Sequence, residues 1–187
     1  MELAELVEAA SEGDQAAWNA LVERFSGLLW ATARAHRLSP SDSAEVVQTT
    51  WLRLVEHLDR IRDRDRIGAW LATTARRECL RLIRHGAREF PASDHDDLDG
   101  RNDTPVGAAI LASERDDTLW KAFSALGERC QALLRLLIAD EPPSYEEISA
   151  ALGMPIGAIG PTRQRCLERL RRDPSLADLS LGTGEPR

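Results

Sequence analysis

The chain has 187 residues, 43% of them apolar, and a formal net charge of −7. That apolar content suits one large folded domain or two small ones. The start, Met1-Glu-Leu-Ala-Glu5, has no basic or apolar run, and no stretch holds the roughly 18 apolar residues of a spanning helix, so neither a signal peptide nor a membrane segment is expected.

The elements read as helices throughout, with no alternating strand pattern and no hairpin dipeptide. Leu3, Leu6, Val7 and Ala10 suggest a short amphipathic lead-in helix. A helix from about Asp14 to Arg37 buries Trp18, Leu21, Val22, Phe25, Leu28 and Leu29. Ser39-Pro-Ser-Asp42 ends it, and Ser41 or Asp42 is expected to cap the next helix. That helix runs to about His57, with Val46, Val47, Trp51, Leu54 and Leu58 inward. An arginine-rich loop follows, Asp59-Arg-Ile-Arg-Asp-Arg-Asp-Arg66, then a helix from Ile67 to about His85. Trp70, at its head, reads as core.

Residues 89–108 combine Pro, Gly and a run of aspartates with little apolar content, the composition of a flexible acidic linker. A second helical region, 109–172, draws a small core from Leu119, Trp120, Phe123, Leu126, Leu133, Leu136, Leu137 and Ile138. Residues 173–187 are expected to fray as a disordered tail. The expected layout is all-α: two small helical domains, 1–88 and 109–172, on an acidic tether.

Charge is uneven along this layout. Residues 1–88 carry 13 Arg against 13 acids, and residues 49–88 alone carry 10 Arg against 5. Residues 89–118 carry 2 basic residues against 9 acids, so that segment outweighs the rest of the chain. Nucleic acid responds to the local field, so a negative total does not exclude it.

The strongest local signal lies near the end. Ser144 with Glu147 forms a capping box. Tyr145, Ile148 and Leu152 share a face, Gly153 supplies a turn, and a second helix follows with Arg163, Arg165, Arg169, Arg171 and Arg172. Ile159, Cys166, Leu167 and Leu170 form its inward stripe. This is a helix-turn-helix with a basic second helix, the geometry that enters a major groove. Pro161 either interrupts that helix or stands at its first position, with the regular helix beginning near Gly160.

No catalytic set is present: the four histidines are scattered, and there is no phosphate-binding Gly loop or nucleophile motif. Cys79, Cys130 and Cys166 form no CxxC or Cys/His set, so no metal or cofactor is expected. Each falls in an apolar pattern and reads as a reduced buried thiol.

Three segments in order resemble the bacterial RNA polymerase sigma factors of the extracytoplasmic function (ECF) group, in the sigma-70 family. They are Asp42-Ser-Ala-Glu-Val-Val-Gln-Thr-Thr-Trp-Leu-Arg53, Trp70-Leu-Ala-Thr-Thr-Ala-Arg-Arg-Glu-Cys-Leu-Arg-Leu-Ile-Arg84, and the helix-turn-helix from Ser144. The resemblance covers about 12–88 and 110–172. It implies a non-enzymatic, cytoplasmic protein that binds core RNA polymerase and promoter DNA, with room for an anti-sigma factor as a further partner. Asp42, Glu45, Gln48, Trp51 and Leu52 would then bind core polymerase. Arg62, Arg64, Arg66, Arg76, Arg77, Arg81 and Arg84 would hold the −10 element. Gly160, Pro161, Thr162, Arg163, Gln164, Arg165, Arg169 and Arg172 would meet the −35 element. The chain departs from the family pattern at Ile61, Arg77 and Arg81, and at Ala158-Ile-Gly-Pro-Thr162. Two alternatives are a helix-turn-helix repressor or activator, and a helical protein-interaction adaptor.

Overall fold

A computed structural model describes residues 2–89, 109–139 and 142–176. All regular structure among them is helical: α1 (Leu3–Ser11), α2 (Gln15–Ala35), α3 (Pro40–His57), α4 (Ile67–Glu89), α5 (Ala109–Ser124), α6 (Glu128–Leu137), α7 (Tyr145–Leu152) and α8 (Ile156–Arg171). Two 3₁₀ turns, Leu58–Arg60 and Arg64–Arg66, lie within the loop between α3 and α4. The expected linker, from residue 90 to 108, and the tail from 177 lie outside the described residues.

Capping chemistry sets the helix starts. The Asp14 carboxylate accepts from the backbone N–H groups of Ala16 and Ala17 at 2.8 and 3.0 Å, opening α2. The cap of α3 differs from expectation. It is Ser39, whose hydroxyl accepts from Asp42 N–H at 3.1 Å. Pro40 then takes the first helical position, where a missing N–H costs nothing, so the helix starts before Ser41. The capping box of α7 is as expected: Ser144 N–H donates to Glu147 Oε2 at 2.7 Å and Glu147 N–H to Ser144 Oγ at 3.3 Å. Gly153 ends α7 at φ +62°, a conformation only glycine adopts cheaply. Of the two alternatives for Pro161, the interior one holds: α8 begins at Ile156 and runs through it. Asp173–Leu176, expected to fray, begins with a turn closed by Leu176 N–H to Asp173 O at 3.0 Å.

α2, α3 and α4 bundle around Leu21, Leu29, Val46, Leu54, Ile67 and Leu71, all fully buried, and α1 adds Val7. The second half keeps only part of its core to itself. Leu133, Leu136, Ile148, Ala151 and Ile159 join the same continuous core, through α6 on α2 and α7 on α4. α6 faces two ways. Leu133 and Leu136 point to the main core, while Cys130 and Leu134 meet Phe123, Leu126 and Cys166 in a smaller cluster. Leu119, Trp120 and Ile138, expected inside, are exposed. Arg135 covers the stacked rings of Trp120 and Phe123.

The cysteine expectation also divides. Cys79 is a free buried thiol, and burial pushes its pKa up to about 12, so it is inert. Cys130 and Cys166 are instead bonded to each other, tying α6 to α8. They lie 36 positions apart in the chain, and only the fold brings their Cα atoms to 5.5 Å.

Candidate nucleic-acid and polymerase surfaces

The loop between α3 and α4 folds back beside the first turns of α4 and leaves an open cleft of about 460 Å³. Arg60, Ile61, Arg62 and Arg66 line one wall; Trp70, Thr73 and Arg77 line the other, with His57 at the end of α3. The His57 and Trp70 rings are 6.3 Å apart. Trp70 is half-buried, so it serves the core and still lines the cleft. Guanidinium groups beside aromatic faces can hold both phosphate and an unstacked base.

The seven arginines expected on this surface separate. Arg62, Arg66 and Arg77 reach the cleft. Arg84 is exposed farther along α4, its Nε donating to Leu80 O at 3.0 Å. Arg64 pairs with Glu8 of α1 at 2.9 Å. Arg66 also pairs with Glu146 of α7. Arg76 lies against the helix-turn-helix: a Cβ at Gly153 would come within 2.5 Å of its Nη2. Arg81 is held by two acids, with Nε 2.7 Å from buried Glu78 and Nη2 2.9 Å from Glu45. Those carboxylates, Glu78 first, raise its pKa. Glu78 also takes Arg53 at 2.9 Å, so one buried acid clasps α3 to α4.

On α3, helical spacing puts Gln48, Leu52 and Val55 on one outer stripe. Leu52 is 57% exposed and Val55 62%. Of the other residues expected here, Glu45 is exposed but engaged by Arg81. Asp42 accepts from Ser39 Oγ at 2.9 Å. Trp51 is half-buried, edge-on to Trp18 at 6.2 Å. Val55 and His57 escaped the sequence reading. Val55 could have been found from the Gln48, Leu52, Val55 spacing; His57 gave no signal.

On α8 the core side is Ile159 and Cys166, both fully buried. Pro161, Arg163, Gln164, Arg165, Arg169 and Arg172 are exposed, while Gly160 and Thr162 are half-buried. Thr162, Arg165 and Arg169 share a cleft of about 430 Å³ with Arg129 of α6, a further basic residue that the sequence reading did not include. Among the described residues no cluster of His, Cys, Asp and Glu could hold a metal ion, and no helix is long and apolar enough to cross a membrane.

Comparison with known proteins matches these elements. The family model "Sigma-70 region 2" matches residues 21–89, which span α2 through α4. The "ECF RNA polymerase sigma-E factor" of Escherichia coli (strain K12) is 27% identical over 163 residues, covering 82% of this chain and 84% of that protein. The protein of the same description from Salmonella typhimurium (strain LT2) is equally similar, and that from Haemophilus influenzae is 25% identical. A structure of CnrH in complex with the cytosolic domain of CnrY superposes with TM-score 0.59 at 22% identity, covering 97% of this chain and 99% of that one. RpoE of Bartonella quintana, solved with the anti-sigma factor NepR, gives the same TM-score and identity over 88% of this chain and 98% of that one. Neither a repressor nor an adaptor accounts for a region 2 match on the three helices that build the basic cleft. Residues 21–89 thus form a sigma-70 region 2, the chain is similar over most of its length to ECF sigma factors, and it is a sigma factor, which directs RNA polymerase in transcription initiation.

Proposed function

We propose that this sigma factor works in the cytoplasm and divides its task as follows. Residues 1–88 bind core polymerase and the −10 element, 109–172 meet the −35 element, and 89–108 and 173–187 serve as linker and tail. The observation that carries the reading is the cleft that Arg62, Arg66 and Arg77 line together with Trp70 and His57. A single base swung out of a melting duplex fits there, with phosphates on the guanidinium groups. Leu52 and Val55, flanked by Gln48, form the polymerase-facing stripe of α3, and the exposed face of α8 enters the major groove. Arg64 and Arg81 serve chiefly as clamps within the fold, and Arg76 packs beside the turn at Gly153. An anti-sigma factor is a further partner, supported by the similarity to RpoE, which was solved with the anti-sigma factor NepR.

The test is transcription in vitro with core polymerase on genomic fragments. Wild-type protein is expected to yield promoter-specific transcripts. Arg62→Ala with Arg77→Ala is expected to abolish open complexes while leaving core binding unchanged. Normal promoter melting by that double variant overturns the assignment of the cleft.

A further inference from the structure

The first six residues of α8, from Ile156 to Pro161, include Gly157, Gly160 and Pro161. All three weaken a helix. The fold does not ask for the glycines. A Cβ at Gly157 or at Gly160 would meet nothing within 4 Å, and neither has a positive φ. Alanine is the better helix former at both positions, and proline is the poorest interior residue of all.

Their placement is not random. Ile159 and Cys166 mark the buried side. Helical spacing puts Gly157, Pro161, Gln164 and Glu168 on the opposite side, with Gly160 beside them. Gly157, Pro161 and Gln164 are exposed. Because Pro161 has no N–H, the carbonyl of Gly157 loses its α-helical donor, and the proline ring crowds that carbonyl. The neighbouring guanidinium does not cover it. Arg165 folds back along the flank, its Nε donating to Pro161 O and its Nη2 to Thr162 Oγ1, each at 3.3 Å. The outer face of α8 thus presents a backbone acceptor, with no side chain at 157 to hold a partner surface away.

Resting on the reading of α8 as the −35 recognition helix, we propose that the Gly157 carbonyl reads an exocyclic amine of one −35 base, cytosine N4 or adenine N6. In the major groove only cytosine and adenine present a donor; guanine and thymine present acceptors. A carbonyl pressed against guanine or thymine is desolvated without a partner, and that penalty produces the discrimination. Gly157 and Gly160 let the helix backbone come close enough for the contact. Pro161 determines specificity without touching the base, by freeing the acceptor.

The experiment uses full-length protein with core polymerase and a promoter transcribed by the wild type, each −35 base pair being changed in turn. Wild-type holoenzyme is expected to favour cytosine or adenine over guanine and thymine at one position by about tenfold, within the five- to hundredfold range of a good base contact. Pro161→Ala supplies the missing N–H and turns the carbonyl into the helix. Preference at that one position should fall towards unity, preferences at the other −35 positions should persist, and the thermal midpoint should rise. Gln164→Ala serves as comparison and should alter a different position. A folded Pro161→Ala protein that keeps the whole wild-type profile overturns the proposal, as does one that loses all −35 preferences alike. A wild-type profile flat across the −35 region removes the recognition-helix reading itself, and the proposal with it.

Discussion

His36, which ends α2, is hydrogen-bonded through Nε2 to the carbonyl of Ala151 in α7, at 3.1 Å and across 115 positions of chain. The bond joins the α2–α4 bundle to the helix-turn-helix. Burial lowers the pKa of His36 below 6.5, and Arg76 adds to the effect. The folded state therefore favours the neutral imidazole. Its contribution is present in full above the unfolded value and is lost as pH falls below about 6.5, because the unfolded chain takes up the proton first. Stability should fall on acidification through that range. His36→Gln keeps a donor without a titrating group and should flatten this part of the profile, as read by urea unfolding at a series of pH values.

Gly68, near the start of α4, packs against Glu147 of α7 and Phe25 of α2. An added Cβ would lie 2.9 Å from Phe25 Cε1 and closer still to the Glu147 carboxylate. The carboxylate can swing away, but the buried ring cannot. Gly68→Leu should wedge the helix-turn-helix from the bundle, raising the radius of gyration in solution scattering while keeping helical content. An unchanged radius would show that the added side chain does not part the two halves.

Glu78 is buried and holds both Arg53 and Arg81. Glu78→Gln keeps the shape but removes the charge, and should destabilise the protein by about 2 kcal/mol, the scale of a hydrogen bond to a charged group. The loss is not larger because both guanidinium groups keep access to water. Denaturant unfolding measures it. Arg81→Ala should show a similar loss, which means that reduced promoter melting by an Arg81 variant must be read beside its stability.

Leu52 and Val55 are exposed apolar side chains on α3 with no packing role. Leu52→Glu should leave the melting temperature within about two degrees, since surface changes of this kind stay within about 0.5 kcal/mol. It should weaken association with core polymerase at least tenfold, as titrated by fluorescence anisotropy. Undiminished affinity would move the polymerase surface off this stripe.

Reduction of the Cys130–Cys166 bond should destabilise the α6–α8 cluster. For a loop closed across 36 positions, loop-closure entropy gives about 4 kcal/mol. Cys130→Ser should show the same loss without reductant and no further loss with it. Hydrogen exchange along α8 locates the effect.

The helices, the capping box at Ser144 and the turn at Gly153 were legible in the sequence because they depend on residues three or four apart. So was the family, since its segments are contiguous stretches. The cap of α3 was misplaced by two or three residues because Ser39, Ser41 and Asp42 are all competent caps, and only Pro40 at the first helical position distinguishes them. What tertiary structure decided is partnership across the chain. In the sequence seven arginines of one loop and helix had equal standing. The fold turns Arg77 to the cleft, Arg81 to Glu78 and Glu45, Arg64 to Glu8, and Arg66 to both the cleft and Glu146. It likewise joined Cys130 to Cys166 and drew Leu133, Leu136, Ile148 and Ile159 into the core of the first bundle. Helical periodicity is a property of neighbours in sequence. A charge or thiol finds its partner only after helices far apart in the chain have packed.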